Sequence, residues 1–328
     1  MSEFNDQQSQ PPGVKITGSI PPELLARMNR TDNQNPPENP TLPATQFAPA
    51  KTSSPSSSPS SNSSLNSILD KLRKGSSVHE EIVLPSKGRF YDGTDGPTDG
   101  VLHIRPMTGE EEQILATPRF VRKGQAINMI FSRCIQENFR PENFLSADRT
   151  FILIYLRGIS YGTEYEVEVK DPDTDRKFST VIDLDGLSKD LCPDDYGPDL
   201  YDTLPKSNLR FTYRLSRGKD EQEIQDYRER RLKQYGDSAA DDTLLHRASQ
   251  LVTSVEDVTN KTEIQMILKQ LPIQDLSYIR GVINEPPFGV DTKVTIMSPL
   301  SSEEFEIDLP LEAGFFFPRK KKKEKTQV

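Results

Sequence analysis

Apolar residues recur every three or four positions along much of the chain after residue 63, which is the spacing of one face of an α-helix. The pattern predicts helices at residues 64–75, from Thr108, at 125–135, from Ser146 to Gly158, and at 219–235, 242–258, 262–271 and 273–280. Two of the helix starts carry a capping signal. Thr108 is followed three residues later by Glu111, which is a capping box, and Ser146 is expected to cap its own helix.

Alternating apolar and polar positions predict short strands in other segments. These strands are expected at residues 81–84, 101–105 and 209–215, and in two hairpins at 167–184 and 294–309. Between the first hairpin and the strand at 209, residues 185–203 are expected to form an acidic loop, since they hold six aspartates and one lysine. The predicted fold class is therefore α+β, with helices and small antiparallel β-hairpins.

The two predicted hairpins share a sequence pattern at a constant offset of 127 positions. The pattern pairs Val167, Val169, Pro172 and Phe178 with Val294, Ile296, Pro299 and Phe305. The helix before each hairpin ends in a related motif, RGI at 157–159 and RGV at 280–282. This order of matches favours a helix–hairpin unit that occurs twice. A chance similarity of short hairpins is the less favoured explanation. Two roles for the hairpins stay open: they project outward to bind neighbours, or they fill two lobes of the fold.

The first 63 residues differ in composition from the rest, since they hold 11 of the 26 prolines and only two aromatic residues. Such a segment cannot bury enough apolar surface to become ordered, so we expect a disordered arm. The predicted organisation is then a Pro/Ser-rich arm at 1–63, an N-terminal lobe at 64–190, a connector at 191–258, a C-terminal lobe at 259–318 and a basic tail at 319–328.

Charge and cysteine content narrow the class of protein. A net charge of −9 argues against general nucleic-acid binding. No apolar run reaches the length of a membrane helix, and the first ten residues lack a secretion signal, so we expect a protein of the reducing cytoplasm with no membrane contact. Cys134 is expected in the core and Cys192 exposed or half-buried, and neither suggests a disulfide.

Residues that could carry chemistry are few and scattered. His79, His103 and His246 have no nucleophile or carboxylate partner at a catalytic spacing, and the chain lacks the glycine-rich phosphate-binding motifs. The hairpin turns DPDTDRK and SPLSSEE lack the Cys and His ligands that zinc requires. The aspartates at 171–175 lack the glycine and distal glutamate of a calcium loop, so a solvated turn is favoured. We therefore predict no catalytic, cofactor-binding or metal-binding residues, no cofactor and no enzymatic activity.

The segment FFFPRKKKKEK at 315–325 combines an apolar and a basic run. Phe315–Phe317 is expected to be a last strand that docks on the body of the protein, and an exposed patch for a partner is the alternative. The lysine run is expected to be a solvated tail, with contact to nucleic acid, to an acidic protein surface or to the acidic loop at 185–203 as alternatives.

Several of these motifs together resemble a known family. The stretches LPSKGRFY (84–91), VLHIRPMTGEEEQIL (101–115) and LRGISYG (156–162) look like the T4-type phage baseplate family, whose members are hub subunits or hub-assembly proteins of contractile-tailed phages. The resemblance covers about residues 78–318. This chain departs from the family pattern in its long N-terminal segment and in hairpin turns without cysteine.

The resemblance implies a non-enzymatic structural or assembly protein of the baseplate hub that acts by protein–protein docking. Its partners would be other baseplate, hub and tail tube proteins, and self-association stays open. It would be found in the host cytoplasm during assembly and then in the virion. An assembly chaperone absent from the mature virion is the alternative. A nucleic-acid-binding protein derived from a zinc ribbon that has lost its metal is a more distant one.

Overall fold

The computed structural model describes residues 65–72, 78–122, 124–236, 242–311 and 313–316. The predicted arm at 1–63 and the basic tail at 319–328 lie outside the described residues. The division of the remaining chain into two lobes and a connector stays a prediction.

Within the described residues, helices and short strands alternate. The helices are α1 (65–72), α2 (Gly109–Leu115), α3 (Pro118–Arg122), α4 (Gln125–Cys134), α5 (Ser146–Tyr161), α6 (Gly218–Tyr235), α7 (Thr243–Leu251), α8 (Lys261–Gln270) and α9 (Ile273–Asn284). The strands are β1 (Glu80–Val83), β2 (Val101–Ile104), β3 (Glu164–Lys170), β4 (Lys177–Asp183), β5 (Lys189–Asp190), β6 (Leu200–Thr203), β7 (Arg210–Tyr213), β8 (Val252–Val255), β9 (Gly289–Val290), β10 (Lys293–Met297) and β11 (Glu304–Asp308).

The strands form only small antiparallel sheets. The two-stranded sheets are β1–β2, β3–β4, β5–β9 and β10–β11, and β6–β7–β8 is a three-stranded sheet. The fold class is α+β, as the sequence pattern predicted.

Helix α5 differs from its prediction at both ends. Its N-cap is Leu145, and no side chain caps it, so the expectation that Ser146 is the cap was wrong. The helix also continues past Gly158 to Tyr161 and ends at Gly162, whose φ of 92° suits glycine. Gly158 stays helical because the apolar pattern of the helix continues on both sides of it, buried before Gly158 and half-buried after it.

The predicted helix at 242–258 is shorter than expected. Helix α7 ends at Leu251, and the chain continues as strand β8, which pairs with β7. The β-branched residues Val252, Thr253 and Val255 favour a strand, and β7 offers a partner that sequence periodicity does not show.

The predicted acidic loop at 185–203 contains two short strands. Strand β5 pairs with β9, about a hundred positions later, and β6 pairs with β7. The expectation of a loop was wrong for these residues because strands of two and four residues are too short to show periodicity in the sequence.

The two hairpins have the same conformation as well as the same sequence pattern. Val169 pairs with Phe178 in the first hairpin, and Ile296 pairs with Phe305 in the second, at the offset of 127. The turns also agree, since Asp175 and Ser302 both have a positive φ, 59° and 61°. Matching register and matching turn geometry support a repeated unit.

The structural repeat extends well beyond the hairpins. We call residues 80–184 the first copy and residues 200–309 the second copy. Each copy begins with a strand, a Leu-Pro turn (84–85 and 204–205) and a second antiparallel strand, so that β1–β2 corresponds to β6–β7. In each copy the next helix starts at a glycine, Gly109 in α2 and Gly218 in α6.

A buried ion pair lies at the same place in both copies. Arg105 follows β2 and its Nη2 lies 3.1 Å from Oε1 of Glu111, the third residue of α2. Arg214 follows β7 and its Nη2 lies 2.7 Å from Oδ1 of Asp220, the third residue of α6. Both acids are buried.

The end of the helix α4 or α7 is bonded to the residue after β2 or β7 in the same way in both copies. The N–H of Arg105 donates to the carbonyl of Cys134 at the end of α4, and the N–H of Arg214 donates to the carbonyl of Leu251 at the end of α7, both at 2.9 Å. Each long helix that follows, α5 or α9, carries a buried aspartate as its third residue, Asp148 or Asp275. The fold is therefore built twice.

The Arg105–Glu111 pair makes stability depend on pH in a predictable direction. Burial by itself raises the pKa of Glu111, but hydrogen bonds from Arg105 and Thr108 outweigh it and hold the pKa at about 2. The charged form is therefore favoured in the folded state. This stabilisation is fully present above the ordinary pKa of a glutamate and is lost as the pH falls from about 4.5 toward 2.

We expect Glu111→Gln to lower the free energy of unfolding at pH 7 by roughly 2–3 kcal/mol. Because the parent protein loses this stabilisation in acid, the difference between variant and parent should shrink as the pH falls below about 4.5. Urea unfolding over a pH series measures it, with Glu112→Gln, an exposed neighbour, as the control. A difference that stays constant across the series would contradict the assignment.

Candidate functional site

The sequence motif LPSKGRFY surrounds a buried carboxylate of the first copy. Asp148 accepts hydrogen bonds from the Ser86 N–H (3.0 Å), the Ser86 hydroxyl (2.6 Å) and the Tyr91 hydroxyl (2.7 Å). The Tyr91 oxygen in turn accepts from the N–H of Leu145 (2.9 Å). Burial raises the pKa of Asp148 and that of Tyr91. Two polar residues of the motif, Ser86 and Tyr91, are thus used inside the protein.

The loop that carries this motif is closely packed on itself. Gly88 has a φ of 77°, and a Cβ at this position would lie 2.5 Å from both the Gly100 nitrogen and the Thr98 carbonyl oxygen. A larger residue at position 88 therefore does not fit this backbone. The glycine of the motif is explained by packing.

The same loop also joins the first copy to the second. The guanidinium of Arg217 contacts the Asp95 carboxylate and donates to the carbonyls of Phe90 (2.9 Å) and Asn143 (3.1 Å). The Phe90 ring stacks on Phe288 of the second copy, with ring centroids 5.7 Å apart. The motif therefore fixes the relative position of the two copies.

The two hairpins contact each other through equivalent residues. Phe178 packs edge-on against Phe305, with ring centroids 6.3 Å apart. The buried Asp171 carboxylate accepts from the hydroxyls of Ser298 and Ser301, the latter at 2.8 Å. Asp171 corresponds to Ser298, and Phe178 to Phe305, so each pair joins a residue to its own counterpart. The two turns thus bind each other through Asp171, Ser298 and Ser301, while residues 172–175 of the DPDTD turn are exposed, as expected for a solvated turn.

An open cleft of about 600 Å³ lies where the start of α5 meets the second copy. The first turn of α5 forms one side, and the segment 283–293 after α9 forms another. Leu215, Ser216 and Glu221 line it from around the start of α6, and Arg247 lines it from α7. Its walls combine apolar side chains with polar and charged ones.

Three polar groups in this cleft lack an internal partner. The hydroxyls of Ser146 and Ser216 and the Nε of Arg247 are buried and make no hydrogen bond within the described part of the chain. The backbone of the same region is well bonded, since the Ser146 N–H donates to the Ser216 carbonyl at 2.9 Å. Buried polar groups normally have partners, so these three mark the cleft as a candidate binding site.

Each of the three histidines makes a contact within the protein. The Nδ1 of His103 lies 2.7 Å from Oε1 of Glu137. The ring of His246 stacks on Tyr227 at a centroid distance of 3.8 Å, and burial lowers its pKa. His79 also has a contact. Among the residues with described positions, no three or more His, Cys, Asp or Glu side chains are arranged to hold a metal ion.

Both cysteines are buried and free. Cys134 lies in the core on α4, as expected, and burial raises its pKa to about 12. The expectation that Cys192 is exposed or half-buried was wrong. Its N–H donates to the Pro85 carbonyl at 2.8 Å, which holds the segment after β5 against the Leu-Pro turn and covers the thiol.

The C-terminal phenylalanines anchor the end of the described chain. Phe315 and Phe316 are buried in a short 3-10 helix, not in the expected strand. The Phe315 ring packs against Tyr165 at 4.9 Å, and its carbonyl accepts from the Nε of Arg157 at 3.2 Å. For these two residues the expectation of an apolar anchor is confirmed, and the alternative of an exposed patch is wrong. Phe317 and the lysine run lie outside the described residues.

Helix α1 keeps its apolar face exposed. The sequence pattern predicted one apolar face for this helix, and its members are exposed in the structure, namely Leu65, Ile68, Leu69 and Leu72. Exposed contiguous apolar residues are typical of interaction surfaces. Over the described ranges, none of the helices combines the length and the apolar content needed to cross a bilayer.

Residues that sequence analysis missed act across long distances in the chain. Asp148 and Arg217 are joined to partners 57 to 127 positions away, and neither lies in a short recognisable motif. The only sequence signal for Asp148 is its place in the first turn of a helix, where an acid also has a simple electrostatic explanation. Ser216 and Arg247 carry no sequence signal at all.

Comparison with known protein families gives one match. A family model described as T4 bacteriophage base plate protein matches residues 79–310, a span that contains both copies of the fold. No curated protein sequence and no solved structure showed a significant match.

Proposed function

The chain belongs to the T4 bacteriophage base plate protein family, and we propose that within the base plate it is a non-enzymatic part of the hub that acts by protein–protein docking. The family match over residues 79–310 is the observation that carries the proposal. A base plate is an assembly of protein subunits, so a member of this family acts through its surfaces. We propose that its partners are other hub and tail tube proteins and that assembly takes place in the host cytoplasm.

The residues of the LPSKGRFY motif make internal contacts, which supports a docking function over a catalytic one. Ser86, Tyr91 and Asp148 bind one another in the interior, and Phe90 holds the second copy. These side chains therefore maintain the fold. The surface that remains for partners includes the apolar face of α1 and the cleft beside α5.

A hub part and an assembly chaperone differ in whether the protein remains in the particle. We expect quantitative mass spectrometry of purified phage to detect the protein at a constant ratio to the other base plate proteins. Particles from a strain that expresses an unrelated host protein at the same level serve as the control for contamination. Absence from particles, while tails still require the gene, would contradict a hub part and support the chaperone.

A further inference from the structure

On its second-copy side, the cleft beside α5 is lined by residues whose counterparts in the first copy make a closed contact. Counting from Arg105 and Arg214, Met107 of the first copy corresponds to Ser216 of the second. The N–H of Met107 donates to the Ser160 hydroxyl at 2.9 Å, which closes the first copy at this place. The counterpart of Ser160, counted from the RG pair of each helix, is Ile283. Ile283 has no hydroxyl, and both Ile283 and Ser216 line the open cleft.

A second difference places a charge in the cleft. Counting from the ends of α4 and α7, the fully buried Ile130 corresponds to Arg247. The first copy fills this position with an apolar side chain, whereas the second places a guanidinium there whose Nε has no partner among the described residues. The second copy also carries four additional residues, 284–287 (Asn-Glu-Pro-Pro), which form part of the cleft wall.

The inner part of the cleft favours a negative group. Arg247 supplies a positive charge, and the Ser146 and Ser216 hydroxyls supply free donors, with Ser216 only 6% exposed. The first turn of α5 lines the same space, and its N-cap Leu145 offers no side-chain acceptor. The N-terminal end of a helix attracts anions through its free N–H groups and dipole.

The rim of the cleft has the opposite charge. Four acids are exposed in the lining of the cleft, against one exposed lysine: Asp190, Glu221, Glu285 and Asp291, and Lys293. These acids oppose an isolated anion and favour a ligand whose buried negative group is flanked by positive charges. The apolar walls, which include Leu215, Ile283 and Phe288, favour apolar residues between them.

We propose that this cleft is a docking site for a peptide segment of a neighbouring protein, in which a Glu or Asp side chain inserts toward Arg247, Ser146 and Ser216 and basic residues flank it at the acidic rim. Arg247 binds the carboxylate through charge-assisted hydrogen bonds, which are stronger than neutral ones. This inference rests on the proposed function only in taking the peptide segment from a base plate partner. The chemistry of the site follows from the cleft itself.

The test uses the full chain labelled with ¹⁵N and two probe peptides, acetyl-Lys-Leu-Glu-Leu-Lys-amide and its match with Gln in place of Glu. We expect the Glu peptide to shift the Arg247 Nε–H resonance and the backbone resonances of Ser146 and Ser216 in a saturable way. The Gln peptide should bind roughly tenfold more weakly, because it lacks the charge. This comparison needs no substitution, so it does not depend on a variant that folds.

Two variants test whether Arg247 causes the preference for the Glu peptide. Arg247→Ile gives the second copy the residue type of the first and should abolish the difference between the two peptides. Lys269→Met removes an exposed positive charge outside the cleft and should leave the difference in place. Equal affinities for both peptides, no saturable shift, or shifts away from the cleft would overturn the proposal. None of these results would alter the presence of the protein in phage particles, so the proposed function is tested separately.

Discussion

Replacing Asp148 by alanine is expected to lower the free energy of unfolding by about 3–5 kcal/mol, enough to leave much of the protein unfolded at 37 °C. The carboxylate is completely buried and accepts from the Ser86 N–H, the Ser86 hydroxyl and the Tyr91 hydroxyl. Alanine leaves these three donors without an acceptor in a place that water does not reach. A buried donor that loses its partner costs about 1–3 kcal/mol.

The effect should spread to the junction between the copies. Tyr91 also accepts from the Leu145 N–H at the start of α5, and the Arg217 guanidinium lies 5.7 Å from the centre of the Tyr91 ring. A displaced Tyr91 therefore loosens both α5 and the contact that Arg217 makes with the first copy.

Urea unfolding followed by circular dichroism measures the loss, with Asp199→Ala as the control, because Asp199 is exposed. The control should stay within about 0.5 kcal/mol of the parent protein. An Asp148→Ala protein that is as stable as the control would show that the LPSKGRFY motif does not hold the fold as described.

Local features of the fold were predictable from the sequence. The capping box of Thr108 and Glu111 is present, because it depends on residues three positions apart. The hairpin at 167–184 pairs as its alternation predicts, since a short turn brings adjacent strands together. The apolar stripe of α4 is buried on one side at Ala126, Ile130, Phe131 and Cys134.

Features that depend on distant contacts were not predictable. Strand β8 looked like the end of a helix because its partner β7 lies some forty positions earlier. Asp148 looked like an ordinary acid in a first helical turn, since its partners Ser86 and Tyr91 lie in a loop about sixty positions away. Cys192 looked exposed for the same reason. In each case the deciding partner is brought close only by the complete fold.

The full extent of the duplication was hidden by insertions. The offset between the copies is 120 positions at the Leu-Pro turns, 109 at Arg105 and Arg214, and 127 at the hairpins. Only the hairpins keep a constant offset over enough residues to be recognised in the sequence. The remaining correspondence rests on strand pairing and buried ion pairs, which tolerate changes of residue type and of loop length.

Duplication also explains why the protein carries two similar hairpins. Equivalent residues meet across the pair, Phe178 with Phe305 and Asp171 with Ser298, so each hairpin provides the surface that the other needs. This is the geometry of a symmetric dimer interface formed inside one chain. The copies then differ at the cleft beside α5, where the second copy has Ser216 and Arg247 in place of Met107 and Ile130.

We propose that this member of the base plate family acts as an assembly part, and electron microscopy of a phage that lacks the gene distinguishes this role from one in DNA replication or lysis. Base plates are made by association, so loss of one part should stop the structure and leave DNA replication and packaging intact. We expect micrographs of the lysate to show heads filled with DNA and no tails, with tailed particles restored by a plasmid copy of the gene. Normal tailed particles in the mutant lysate, with a defect confined to DNA replication or lysis, would contradict the account.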